Sequence, residues 1–160
     1  IRSNIAMTVW GSIASTFGLI GAGKERKTAT PLARQLEIRT PSLEQLVGNL
    51  SGGNQQKVSL AKWLAADVDI LFIDEPTVGI DIKAKAYIHE LINGLADKGM
   101  AILLISSDMP EMVALADRIL VMHDFRIVHE HENDHKYETA SRAIMSAIHA
   151  AEPAQARTAS

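Results

Sequence analysis

The spacing of apolar residues divides this chain into a weakly patterned start and a strongly patterned remainder. Residues 1–23 are small, apolar and hydroxyl-bearing with no clear period, so they predict no defined element. Glu25 to Ile38 reads as a helix carrying Leu32, Leu36 and Ile38. Thr30-Pro31 offers a second place for that helix to begin, because proline suits the first helical position. Arg39-Thr40-Pro41-Ser42 predicts a turn or loop. From Ser51, a candidate N-cap, Val58, Leu60, Ala61, Leu64 and Ala65 set the apolar side of a second helix.

The run Ile70-Leu71-Phe72-Ile73, closed by Asp74-Glu75-Pro76, is the pattern of a strand buried on both faces of a parallel sheet. A helix is predicted over residues 82–98, stopping at Gly99, and a second buried strand over 100–105. A short helix over 109–116 precedes two strands, 118–122 and 126–130, joined tightly at Asp124-Phe125. Residues 137–150 read as an amphipathic helix whose stripe is Ile144, Met145 and Ile148. The Ala/Pro/Gln/Ser tail beyond it is expected to be disordered. Strands alternating with helices, without internal repeats, predict an α/β domain with a mainly parallel sheet flanked by helices. Three segments follow: a helical portion over 1–66, core strands over 67–133, and a C-terminal helix with its tail over 134–160.

Composition changes this picture little. The 160 residues are 47% hydrophobic and 22% charged, as in an ordinary globular domain. The net charge of -3 leaves no basic footprint, which argues against a nucleic-acid partner. Cysteine is absent, which removes disulfides and thiolate chemistry and fits a reducing compartment. No apolar run approaches the roughly 20 residues that span a bilayer. Because the first residue is Ile1 and no leader follows it, the natural start is expected to lie elsewhere.

Two constellations carry candidate chemistry. In the first, Leu50-Ser51-Gly52-Gly53-Asn54-Gln55-Gln56 opens the second helix. A helix N-terminus carries about half a positive charge, glycines let backbone come close to a ligand, and the Ser51 hydroxyl adds a neutral donor. The plain alternative is a helix cap. In the second, Asp74 and Glu75 end a strand at the sheet edge where open α/β folds take ligands. Asp74 suits Mg²⁺ and Glu75 suits a water-polarising base; the alternative is an acidic pair at a strand exit.

In combination these residues resemble the ATP-binding-cassette family. Leu50 to Gln56 matches its signature, Ile70 to Thr77 its Walker B strand, and Gly79-Ile80-Asp81 its D-loop, and the resemblance runs on through Asp117-Arg118-Ile119-Leu120-Val121-Met122. Gly48 to Val58, Ala61 to Ala65 and Ile105-Ser106-Ser107-Asp108-Met109-Pro110-Glu111 are similar to the second cassette of monosaccharide importers of the ribose, galactose and xylose type. The resemblance implies a partial P-loop NTPase domain plus part of its helical signature subdomain. It implies ATP and Mg²⁺ as cofactors, a partner ATPase cassette and membrane permease subunits as partners, and a peripheral place on the cytoplasmic face of the inner membrane. It also implies roles: Leu50, Ser51, Gly52, Gly53, Gln55 and Asp81 at nucleotide, Asp74 at the metal, and Glu75 and Ser107 in catalysis. Ser107 stands where most members carry a switch histidine, and a serine donates a hydrogen bond without charge.

The family's phosphate loop has the form G-x-x-x-x-G-K-[ST]. Gly18-Leu19-Ile20-Gly21-Ala22-Gly23-Lys24-Glu25 nearly fits, but Glu25 sets a carboxylate where a metal-binding hydroxyl belongs, and residues 12–17 make a poor buried strand. It is expected to be a loop of the helical subdomain, with Ile1 to Ile5 resembling the stretch just after the Q-loop. On this reading the chain lacks Walker A and Q-loop and neither binds nor hydrolyses ATP alone. Two rivals stand beside it: a cassette of the chromosome-maintenance or DNA-repair type, and a non-catalytic, self-associating homo-oligomer. His123, His129, His131 and His135 are weighed as a metal site and read instead as solvated histidines.

Overall fold

Helix, not irregular chain, forms the weakly patterned start. In the computed structural model, which describes residues 1–151, α1 (Arg2–Ala6) leads through a 3₁₀ turn (Met7–Val9) into α2 (Trp10–Ile13). Ile5 and Ala6 are fully buried, and α1 packs on α3 and α4. Thr8 Oγ1 donates to the carbonyl of Lys62 at 2.6 Å, tying the turn to α4. Elements of five and four residues are too short to show a helical period, so tertiary contact rather than pattern specifies them.

Helix α3 (Ala22–Gln35) starts three residues before Glu25 and keeps Pro31 inside it. Residues 22–25 therefore belong to a first helical turn, which corrects the loop expected there. Leu36 and Ile38 are buried just beyond its end. A 3₁₀ turn (Val47–Asn49) leads to α4 (Gly52–Leu64), which buries Gly53, Val58, Leu60 and Ala61.

Strand β1 (Ile70–Asp74) is followed by α5 (Ile82–Ala96) and β2 (Ala101–Ile105), and the two strands pair. The amide of Ala101 donates to Asp69 O at 3.0 Å, so the strands begin side by side. Helix α5 buries Ile88, Ile92 and Leu95 at helical spacing. The double-sided burial expected of β1 is corrected: Leu71 and Ile73 are buried, whereas Ile70 is 59% and Phe72 71% exposed. A strand alternates its side chains between two faces, and only one face of β1 is covered by described residues.

The described residues form two compact units, divided after Leu103. In the second unit, α6 (Met109–Leu115) precedes β3 (Arg118–His123) and β4 (Arg126–Glu132), an antiparallel pair registered from Arg118↔Glu132 to His123↔Arg126. Asp124 and Phe125 have φ of 47° and 59°, the left-handed pair that a tight two-residue hairpin requires. Helix α7 (Tyr137–Ala151) lays Ala140 and Ile144 on Ile119, Val121 and Val113, with Ile148 packed alongside and Met145 left 47% exposed. Asn133 Nδ2 donates to Val113 O at 2.9 Å and to Ala116 O at 2.6 Å, fixing the end of β4 to α6. The disordered tail expected after α7 falls on residues 152–160, outside the described residues.

Candidate functional site

Helix α4 opens with Ser51 at its N-cap, in an extended conformation. Its hydroxyl accepts no backbone N–H from the first turn and instead accepts from the side chain of Asn54, through Nδ2, at 2.9 Å. Asn54 Oδ1 in turn accepts from the amide of Arg39 at 2.8 Å. The side chain is thus exposed and held from the side, not consumed in capping. Gln55 Nε2 donates to Leu50 O at 2.9 Å, fixing the residue before the cap, and Leu50 is buried.

The two glycines differ. A methyl group built on Gly53 would lie 2.7 Å from Cβ of Ala84 on α5, so this glycine serves a close helix crossing. One built on Gly52 would lie 3.4 Å from Gly79 O and 3.6 Å from Ile80 Cγ2. Residues 79–81 therefore rest against the opening turn of α4. Gly79, at φ +73°, takes the left-handed turn glycine allows, and Asp81 Oδ1 then caps α5 by accepting from Ala84 N at 2.9 Å. Lys57 Nζ sits 3.4 Å over the ring of Tyr87, a second tie between α4 and α5, and partial burial holds its ammonium below the usual lysine range.

Asp74 is exposed at the end of β1 and Glu75 follows half-buried, at φ +45°. A non-glycine residue in the left-handed region costs of order 1–3 kcal/mol, so Glu75 stands on strained backbone. Together, the first unit brings the α4 opening, the 79–81 turn and the Asp81 cap into one surface. Ser107 belongs to the second unit, exposed between β2 and α6.

Glu25 has a different occupation. It is 7% exposed and accepts from Arg2 Nε at 2.8 Å, Trp10 Nε1 at 3.0 Å and Ser3 Oγ at 3.3 Å. Arg2 and Arg26 also reach Glu44, whose carboxyl is held below the usual range chiefly by the Arg26 hydrogen bond. The element before Gly18 is a helix and a turn, not a strand. The amino-acid pattern marks Glu25 as a helix start and as the wrong residue for a phosphate loop, but not as a buried acceptor, because its partners Arg2 and Trp10 lie in the stretch without a pattern.

The histidines are corrected in part. His129 and His131 stand opposite the buried Val121 and Ile119, half-buried and stacked with ring centroids 6.4 Å apart. They are therefore not fully solvated. Nε2 of His131 is buried with no hydrogen-bond partner.

Comparison with known proteins accords with this arrangement. The family model described as ABC transporter matches residues 3–78. The xylose import ATP-binding protein of Thermoanaerobacter pseudethanolicus is 45% identical over 127 residues, 79% of this chain and 25% of its own. A ribose import ATP-binding protein of Mesorhizobium japonicum is 53% identical over 116 residues, 72% of this chain and 23% of its own. The arabinose import ATP-binding protein of Rhizobium meliloti is 47% identical over 146 residues, 88% of this chain and 29% of its own. The chain thus spans about a quarter of the length of these relatives. Among solved structures, a dimeric bacterial ABC transporter cassette superposes at a TM-score of 0.69 with 23% identity, over 82% of this chain and 55% of that one. An ADP- and phosphate-bound cassette dimer superposes at 0.62 with 25% identity, over 71% and 49%.

The fold is that of part of an ABC ATPase cassette, an α/β P-loop NTPase domain. The chain belongs to the ABC transporter family, and the sugar-import ATP-binding proteins are the relatives that match most of its length. No helix of the described residues is long and apolar enough to cross a membrane.

Proposed function

We propose that these residues are the C-terminal part of the second cassette in the ATP-binding subunit of a monosaccharide importer, working peripherally at the cytoplasmic face of the membrane with permease subunits. The observation that carries the proposal is the Ser51 hydroxyl, exposed at the opening of α4, held by the Asn54 side chain instead of a backbone amide, and flanked by the 79–81 turn. A hydroxyl placed at a helix N-terminus is a donor set for phosphate oxygens. Leu50, Ser51, Gly52, Gly53 and Gln55 then shape the face offered to a nucleotide bound by the partner cassette, with Asp81 beside it. Ser51 donates to phosphate, Gln55 fixes Leu50, and Gly53 sets the distance to α5.

Asp74 and Glu75 serve the other site. Asp74 would hold Mg²⁺, which would supply neutralisation of phosphate charge, and Glu75 would orient and polarise water; Ser107, taken by itself in the second unit, would offer phosphate one uncharged hydrogen bond. The buried, triply bonded Glu25 does not fit a phosphate loop, so the loop that completes this half comes from residues other than these 160. The uncovered face of β1, with Ile70 and Phe72, fits a segment that packs into a larger sheet. That same face favours a second reading, self-association of the chain in solution.

The test is ATP-dependent association with a cassette that carries an intact phosphate loop and a disabled base. We expect Mg-ATP to drive association, and Ser51→Arg to weaken it at least about tenfold, the scale of one lost charge-assisted contact plus a clash. Association indifferent to both ATP and Ser51→Arg would refute the proposal in favour of the self-association reading.

A further inference from the structure

Ser107 is flanked by a closed ring of hydrogen bonds. Ser106 Oγ donates to Glu111 Oε2 at 2.6 Å. The amide of Glu111 donates to Asp108 Oδ1 at 2.9 Å, capping α6. The amide of Asp108 donates to Ser106 Oγ at 3.1 Å. The ring thus fastens Ser106, the residue before Ser107, to the Glu111 carboxylate, and Asp108, the residue after it, to the Ser106 hydroxyl and the Glu111 amide; Glu111 is 1% exposed. A buried carboxylate is costly to keep unless its bonds are made, which favours keeping the Ser106 hydroxyl on Glu111. Ser107, the exposed residue between the two fastened neighbours, is left little backbone freedom.

We infer that Glu111 is a positioning residue: acting through Ser106 and Asp108, it aims Ser107 at the reacting phosphate. The inference rests on the role given to Ser107 above. Neither Glu111 nor Ser106 touches nucleotide in this account. Their contribution is orientation, and small misplacements of a catalytic donor cost rate more than binding.

The test is steady-state ATP turnover by the assembled ATP-binding subunit carrying Ser107→Ala, Ser106→Ala, Glu111→Ala, Glu111→Gln, or Ser106→Ala with Ser107→Ala. Ser106→Ala and Glu111→Ala should each lower kcat roughly tenfold while KM for ATP stays within about twofold. Glu111→Gln keeps a carbonyl acceptor for Ser106 and should recover most of the rate. Ser106→Ala should cost nothing further once Ser107→Ala is present. A purely structural role would cost the same in both backgrounds, and that result overturns the inference; so does an unchanged kcat in Ser106→Ala and Glu111→Ala when Ser107→Ala alone is slow. If Ser107→Ala is itself without effect, the role of Ser107 falls and the inference falls with it. Should Glu111→Ala fail to fold, Ser106→Thr, which keeps the hydroxyl, replaces it as the comparison and should match the parent rate.

Discussion

Glu25→Ser should weaken the first unit and create no nucleotide site, although it completes the pattern G-x-x-x-x-G-K-S on paper. The carboxylate is the shared acceptor of Arg2, Ser3 and Trp10. Removing one partner of a buried charged pair costs about 3–5 kcal/mol; because Arg2 is partly exposed and keeps Glu44, we expect about 2–4 kcal/mol here. Both tryptophans, Trp10 and Trp63, lie in the first unit, so urea unfolding followed by tryptophan fluorescence reports on it alone. An unchanged midpoint would show that the Glu25 contacts do not hold the first unit together, and Mg-ATP binding gained by Glu25→Ser would mean that residues 18–25 are a damaged phosphate loop after all.

Gly53→Ala should also be costly, for a steric reason. In an ordinary helix this change gains roughly 0.5–1 kcal/mol from reduced backbone freedom. Here the added methyl would meet Ala84 Cβ at 2.7 Å, and overpacking of that kind costs about 1–3 kcal/mol, so the net change is a loss. Either α4 or α5 must shift, and α5 carries the 79–81 turn with it. Ala84→Gly removes the clashing carbon. Adding it to Gly53→Ala should therefore restore both stability and ATP-dependent association. The coupling is read from a double-mutant cycle. Strict additivity of the two changes would show that the close crossing is not what fixes glycine at position 53.

From Ser51 onward the fold was largely legible in the amino-acid pattern. Helices α4, α5 and α7 and strands β1 to β4 fall within a few residues of their expected places, because each carries a period or an apolar run long enough to read. Residues 1–23 were not legible, since α1 and α2 are one turn each and are specified by what they touch, such as Thr8 on Lys62 and Arg2 on Glu25. The first turn of α3 was missed for a related reason: Gly21 precedes it without a capping side chain. The β1 run was read as doubly buried because four apolar residues in a row predict two covered faces. Ile70 and Phe72 lack that cover among the described residues.

The candidate site was legible as residue types in order, less so as structure. Sequence marks Ser51, Asp74, Glu75, Asp81 and Ser107 through family resemblance. It does not reveal that Gly53 answers to Ala84, that Gln55 is spent on Leu50, or that Ser106, Asp108 and Glu111 close a ring. Each of those is a contact whose partner no local pattern announces.

We hold that the described residues present a signature face and an acidic strand end without a nucleotide cradle of their own. Calorimetric titration of the chain with Mg-ATP tests this most directly. No saturable heat is expected from the chain by itself. Saturable binding by the chain alone, unaffected by Ser51→Arg and abolished by Lys24→Ala, would contradict it and place a working phosphate loop at Gly18 to Glu25.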